Sequence, residues 1–218
     1  MDRNDEFFKV LERLLARAAE ETFLHDNDKP GSLGEVHELT VQPLLLQGKM
    51  YCVISASADR PLPAPILAGM LIEAKNALAG LGFAADTPHP AAVVACIPLD
   101  FATWSASTAL ARVECRHLGH ETVIVICEAA SSAAAEESPD PGFCAIAPED
   151  LGREPCKVPT DLYLYLPLNR KFLLYLREGS DASAELLGKL GAPRIKSLFF
   201  KQSDLAKWLV FRVTRPPF

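Results

Sequence analysis

Residues 63–82 read PAPILAGMLIEAKNALAGLG, and this stretch decides the fold class. Its apolar residues recur every three or four positions, which is the period of one face of an α-helix. Pro63 and Pro65 suit the start of a helix, and Gly82 suits its end. The apolar stripe consists of Ile66, Leu67, Met70, Leu71, Ala74, Ala77, Leu78 and Leu81. The pattern predicts a long helix that packs against a sheet.

Extended segments lie on both sides of this helix. Apolar runs rich in β-branched residues predict strands over residues 35–46, 49–57, 91–99, 110–117 and 121–128. Gln47-Gly48 and Leu118-Gly119 suit the turns of two hairpins. An amphipathic pattern over residues 4–21 predicts a first long helix. Residues 101–107 are compatible with either a short helix or a loop.

The last part of the chain predicts a separate and smaller module. Residues 129–142 (AASSAAAEESPDPG) are small, acidic and Pro-containing, which is typical of a connection between domains. Residues 143–147 are a candidate short strand inside that connection. We predict an N-terminal domain over residues 1–128, a linker over 129–157 and a β-β-α-β-α module over 158–212. The fold class is α+β: a mixed N-terminal sheet packed by two long helices, plus the small C-terminal module.

Composition narrows the classes of function. The 218 residues include 22 Lys and Arg against 28 Asp and Glu, so the net charge is −6. An acidic chain lacks the basic face that binding to nucleic acid or to an anionic membrane requires. The acidic N-terminus and the absence of a long apolar run predict a cytoplasmic protein. The six cysteines are dispersed without a C-x-x-C pair, which predicts reduced, mostly buried thiols.

The C-terminal module carries a family resemblance. The resemblance is carried by the motifs D-L-Y-L at 161–164, K-F-x-x-x-L-R-x-G-S at 171–180 and K-x-x-D-L at 201–205. The run Asp161 to Leu209 resembles the small accessory domain found ahead of catalytic or receiver domains in bacterial signalling proteins, among them HD-GYP cyclic-di-GMP phosphodiesterases. The resemblance implies a signalling role. Because the chain has no G-Y-P triplet, it implies no phosphodiesterase activity.

The central helix carries a second resemblance. Glu73, Asn76 and Gly80 fit the E-x-x-N-x-x-x-G helix of CheC/CheX-type chemotaxis phosphatases. In that family the carboxamide orients the water that attacks an aspartyl phosphate, and the glutamate pairs with a lysine of the receiver domain. The spacing of Gly69, Glu73, Asn76 and Gly80 predicts that they share one exposed helix face. The resemblance implies that Glu73 and Asn76 are catalytic. Between Ser57 and this motif, however, the chain is too short for the helix that precedes it in the family.

Other motifs give weaker hypotheses. Cys115, His117 and His120 surround a predicted hairpin turn, with Cys127 downstream, and zinc accepts Cys and His ligands. The alternative is that these are ordinary strand residues, because the paired spacing of a structural zinc site is missing, and we expect no metal. Sequence fingerprints of nucleophilic or nucleotide-dependent enzymes are also missing, so we expect no cofactor.

The aromatic residues of the module have two interpretations. They are Tyr163, Tyr165, Tyr175, Phe199, Phe200 and Trp208. Exposed aromatic side chains favour interfaces, whereas a domain this small needs large side chains to build its core. We expect most of them to be core.

The sequence therefore predicts a non-catalytic regulatory protein of bacterial signal transduction. We expect it to bind another signalling protein, such as a receiver domain, in a cyclic-di-GMP or two-component pathway. A phosphatase of phosphorylated receiver domains and a small-molecule sensor module are the alternatives, and a homodimer is a further partner that the sequence leaves open. We expect neither nucleic acid nor a membrane as a partner.

Overall fold

The structure is a computed structural model. It describes residues 3–22, 33–46, 49–58, 60–129, 138–152, 154–190 and 195–215. The chain divides into two compact units, Met1–Ala130 (unit 1) and Ser131–Phe218 (unit 2).

The described residues of unit 1 form three helices and one antiparallel sheet. The helices are α1 (Arg3–Thr22), α2 (Ala64–Gly80) and α3 (Phe101–Thr108). The strands are β1 (Glu35–Leu46), β2 (Lys49–Ser57), β3 (Ala85–Asp86), β4 (Ala92–Asp100), β5 (Ala111–His117) and β6 (His120–Glu128). Strand β1 pairs with β2 on one side and with β3 and β4 on the other. The order then continues through β6 to β5.

Both faces of this sheet are buried. Helices α1 and α2 pack on one face, whose core includes Phe7, Leu11, Leu15, Leu44, Val53, Leu67, Met70, Leu71, Val113, Ile124 and Ile126. The opposite face carries fully buried residues at the alternate strand positions: Leu39, Val41, Cys52, Ile54, Val123, Val125 and Cys127. Strands that are apolar at every position need cover on both sides. This explains why the sequence shows continuous apolar runs here.

The structure describes the turn of one of the two predicted hairpins but not of the other. Strands β5 and β6 pair from Ala111 to His117, and Leu118 and Gly119 have φ of 53° and 83°. Two successive residues with positive φ form the turn that matches the twist of a hairpin, so this prediction is confirmed. Strands β1 and β2 pair up to Leu46 and Lys49. The predicted turn at 47–48 lies outside the described residues.

Residues 101–107, for which the sequence allowed either a short helix or a loop, lie in helix α3. Its start is fixed by Asp100, whose carboxylate accepts hydrogen bonds from Thr103 N at 3.2 Å and Thr103 Oγ1 at 2.7 Å. Such capping satisfies a backbone N–H that has no partner inside the helix. Phe101 and Ser105 are buried.

Unit 2 contains short elements. Its helices are α4 (Ala184–Leu190) and α5 (Leu205–Val213), with 3-10 turns at Pro148–Leu151 and Gln202–Asp204. Its strands are β7 (Phe143–Ile146), β8 (Cys156–Lys157), β9 (Leu162–Leu166), β10 (Lys171–Leu176), β11 (Asp181–Ala182) and β12 (Leu198–Lys201). Four strands form a sheet in the order β10-β9-β12-β7, and β8 pairs with β11.

Aromatic side chains pack on both faces of the four-stranded sheet of unit 2. On one face, Phe200 stacks on Trp208 of α5 with ring centroids 5.4 Å apart. The other face carries the aromatic cluster, which consists of Phe143, Tyr163, Tyr165, Phe172 and Phe199. Phe143 and Phe172 come from the two outermost strands, yet their rings stack at 3.8 Å. The sheet must therefore curl strongly.

These observations confirm the α+β class and add one feature to the organisation. Residues 143–157, which we placed in the linker, supply β7, a 3-10 turn and β8 to unit 2. Strand β7 has only four residues and pairs with β12 from Phe143 to Ile146. A strand so short is defined by its backbone partner more than by a sequence pattern. None of the described helices combines the length and apolar composition that crossing a membrane requires.

Candidate functional site

The most informative surface of unit 1 is one face of helix α2. Gly69, Ile72, Glu73, Asn76 and Gly80 fall within one narrow arc of the helix and are all exposed. We call this arc the α2 face. The spacing in the sequence predicts this exposure for four of the five. Ile72, at 53% exposure, is the apolar member that the sequence analysis assigned no role.

The α2 face is unusual for an exposed helical surface. An exposed helix normally carries charged or polar residues along its solvent side. Here Glu73 and Asn76 stand between two glycines and an isoleucine. A Cβ added at Gly69 or Gly80 would meet no atom within 4 Å. Packing inside the chain therefore does not require glycine at either position, although glycine inside a helix costs about 1 kcal/mol relative to alanine.

A groove borders this face where α2 meets α1. Its volume is about 190 Å³, and it is lined by Leu14, Arg17, Ala18, Glu73, Ala74 and Ala77. Alanines make the floor shallow, while Glu73 and Arg17 give it one acidic and one basic wall. Asn76 lies one turn from Glu73, outside the groove. The two predicted catalytic residues thus share an exposed face, and only Glu73 lines the groove.

An ion pair fixes the neighbouring side of α2. Lys75 Nζ lies 2.8 Å from Asp86 Oδ1, and the same oxygen accepts a hydrogen bond from Thr87 N at 2.9 Å. Lys75 and the Thr87 amide together lower the pKa of the Asp86 carboxyl. Lys75 is therefore engaged with β3, while Glu73 and Asn76 point to a different side of the helix.

The candidate metal residues occupy one end of the β5–β6 hairpin. His117 and His120 face each other directly, and Cys115 faces Thr122. All three candidates consequently lie on the same side of the sheet. Cys127 is an odd-numbered residue of β6, so it lies on the opposite side and cannot join them. No three His, Cys, Asp or Glu side chains in the described part of the chain are placed to share a metal ion.

The surroundings of Cys115 are those of a core residue. Burial raises the pKa of its thiol to about 12, and Sγ lies 3.5 Å from the carbonyl oxygen of Thr122. Cys115 packs at the margin of the unit 1 core. The pKa of His117 is lowered by burial and by the neighbouring His120.

The aromatic residues of unit 2 differ in how deeply they are buried. Phe199, Phe200 and Trp208 are buried. Tyr163, Tyr165 and Tyr175 are half-buried, and the first two pack within the aromatic cluster. The rings of the aromatic cluster pack against one another.

Comparison with known proteins adds no assignment: no protein-family model, curated protein or solved structure matches this chain.

Sequence reasoning did not identify Arg17, Ile72 or the groove. Arg17 lies more than fifty residues from Glu73 in the chain, and only the packing of α1 on α2 brings them together. A usable indication did exist for Ile72. Residues 64–80 are apolar nearly all round, which is typical of a helix covered on every side.

Proposed function

We propose that the protein is a non-catalytic regulatory component of bacterial signal transduction that binds a partner protein through the α2 face. One observation carries this proposal: a helix that is apolar nearly all round leaves exposed an arc of two glycines, an isoleucine, Glu73 and Asn76. Small residues allow a partner's backbone to approach closely, and a partly apolar surface favours protein contact. The resemblance of the C-terminal module to accessory domains of signalling proteins supports the pathway class, either cyclic-di-GMP or two-component.

We infer that the partner is a receiver domain. Glu73 offers a carboxylate to a lysine of the partner, and Asn76, one turn away, offers a carboxamide to a carboxylate or phosphate. Both side chains are exposed on the α2 face. Charge at the edge of an interface mainly selects the partner and raises the association rate.

Receiver dephosphorylation is the second candidate, because Glu73 and Asn76 share one exposed face at the spacing that a phosphatase pair needs. Catalysis would require Asn76 to hold a water in line with the aspartyl phosphate. The short connection before α2 supports the non-catalytic proposal. Strand β2 ends at Ser57 and α2 begins at Ala64, which leaves no room for the additional helix of the phosphatase family.

A panel of phosphorylated and unphosphorylated receiver domains from the same organism tests the proposal. Titration should identify a receiver that binds, and wild type should leave the lifetime of its phosphate unchanged. Gly69→Gln should weaken that binding about tenfold or more, because a long side chain fills the approach. Leu118→Gln, on an exposed turn elsewhere in unit 1, is the matched control.

Two outcomes would contradict the proposal. If no receiver of the panel binds, the partner class is wrong. If wild type accelerates phosphate loss and Asn76→Ala abolishes that effect while still binding, the protein is the phosphatase.

A further inference from the structure

Strand β10 forms an edge of the four-stranded sheet of unit 2. Among the described strands it pairs only with β9, so its other side presents unpaired backbone N–H and C=O groups. Two of its leucines are exposed although they lie inside a strand, Leu173 at 53% and Leu174 at 39%. Both the backbone and the side chains of β10 therefore offer a binding surface.

Soluble proteins normally protect an edge strand of this kind. Proline, an inward-pointing charge or a bulge prevents a second strand from pairing. Strand β10 reads KFLLYL, so it contains no proline, and its single charge, Lys171, is at its first position. A bulge is present, but it lies at Tyr175, where the pairing with β9 shifts between Leu174 and Leu176. Residues 172–174 between the lysine and the bulge are regular and carry no charge.

We propose that two copies of the chain associate by antiparallel pairing of β10 with β10 about a two-fold axis at Leu173. An isologous contact joins the same patch of both copies. Facing residues of an antiparallel pair lie on the same side of the sheet. The two-fold axis must therefore fall at a residue of β10 that faces its own copy. Centred on Leu173, Leu173 faces its own copy and Phe172 faces Leu174 of the second copy, so the pairing uses only the regular residues of β10.

This register matches the exposed apolar residues of the two copies. Each exposed leucine meets an apolar side chain. The aromatic cluster, to which Phe172 belongs, continues across the axis through Leu174. Centring the pairing on Leu174 instead would place Leu173 opposite Tyr175 of the second copy, where the bulge interrupts regular pairing.

Charge distribution favours a second copy at unit 2 in particular. Residues 131–218 carry 12 Lys and Arg against 11 Asp and Glu, whereas residues 1–130 carry 10 against 17. Two copies of a nearly neutral unit approach without net repulsion, while two copies of the acidic unit repel each other. The association is independent of the α2 face, so either proposal can fail without the other.

Cysteine cross-linking of the full-length chain tests the register. In Leu173→Cys the two new thiols face each other at the axis, and diamide, a thiol oxidant, should join them into a covalent dimer. In Leu174→Cys each new thiol faces Phe172, and the two thiols lie at a diagonal distance beyond disulfide reach. The covalent dimer should therefore be about tenfold or more abundant for Leu173→Cys than for Leu174→Cys. Wild type, which contains Cys144 and Cys156, sets the background.

Sedimentation equilibrium over a concentration series tests the association itself. Wild type should form dimers, and Leu173→Lys should raise the dimer dissociation constant at least about tenfold because two lysines then face each other. Leu118→Lys, an equally drastic change at an exposed leucine of unit 1, should leave it unchanged. A wild type that stays monomeric up to about 0.2 mM overturns the proposal. So does a dimer that Leu173→Lys leaves intact, or equal cross-linking of the two cysteine variants.

Discussion

The two units of this chain build their interiors by different means. Unit 1 spans 130 residues and packs two long helices on a wide sheet, so its core is mainly aliphatic. Unit 2 spans 88 residues, and its longest described helix has nine. A smaller chain buries a smaller fraction of its surface on folding. Unit 2 therefore depends on large aromatic rings and on an anchored ion pair.

That ion pair joins the turn at Pro148–Leu151 to helix α5. Asp150 and Arg212 pair with side chains only 10% and 17% exposed, and the Asp150 carboxylate also accepts a hydrogen bond from Ala147 N at 3.1 Å. The ion pairs described in unit 1, such as Lys75–Asp86, are much more exposed. The comparison teaches that the larger unit is stabilised by apolar area. The smaller unit adds polar contacts that tie α5 to the turn at Pro148–Leu151.

The largest expected effect comes from a matched pair of core substitutions. Each unit has one tryptophan beside a buried phenylalanine: Phe101 with Trp104 in unit 1, and Phe200 with Trp208 in unit 2. Phe200→Ala should lower the free energy of unfolding of unit 2 by about 3–5 kcal/mol, since it removes a ring and leaves a cavity. Phe101→Ala should act similarly on unit 1.

Urea unfolding followed by fluorescence checks this prediction. A Trp104→Phe background leaves Trp208 to report on unit 2, and Trp208→Phe leaves Trp104 to report on unit 1. Each alanine substitution should move only the transition of its own unit. If Phe200→Ala moves both transitions equally, the two units unfold together and the comparison between them fails.

The next largest effect concerns the buried ion pair. Asp150→Ala should destabilise unit 2 by about 3 kcal/mol, because Arg212 then stays buried without its carboxylate. Adding Arg212→Met should recover more than half of the loss, since the double variant buries no unpaired charge. Circular dichroism during urea unfolding measures both. A double variant no more stable than Asp150→Ala would show that the contact matters through packing and not through charge.

The smallest expected effect on stability concerns two buried hydroxyl groups of unit 1. Thr40 and Ser55 face each other across β1 and β2, and both are fully buried. Thr40 donates a hydrogen bond to the carbonyl of Leu62, whereas Ser55 Oγ has no partner among the described residues. Thr40→Val should cost about 1–2 kcal/mol, and Ser55→Ala should be neutral or stabilise by up to about 1 kcal/mol.

Thermal unfolding of the two single variants decides this last prediction. Opposite signs are expected at two adjacent positions that differ little in burial. A loss of stability in Ser55→Ala similar to that in Thr40→Val would mean that the Ser55 hydroxyl has a hydrogen-bond partner in solution.

Local sequence patterns predicted the types and order of the main elements. The period of residues 63–82 predicted α2 and the exposure of Glu73 and Asn76, because side chains three or four apart share a helix face. Gly119 predicted the Leu118-Gly119 turn, because glycine readily adopts the positive φ that such a turn needs. Helix α3 could also have been predicted from the sequence. Asp100 and Thr103 have the spacing of a helix cap, which the sequence analysis did not use.

By itself, then, the sequence determined what depends on neighbours along the chain: helix periods, strand alternation, turns and charge. Only the tertiary structure decided what depends on contacts between distant residues. It pairs β7 with β12, stacks Phe143 on Phe172, places Arg17 beside Glu73 and leaves one edge of β10 open. Strand pairing and edge position follow from backbone hydrogen bonds that are nearly the same for every residue type, so no local pattern specifies them.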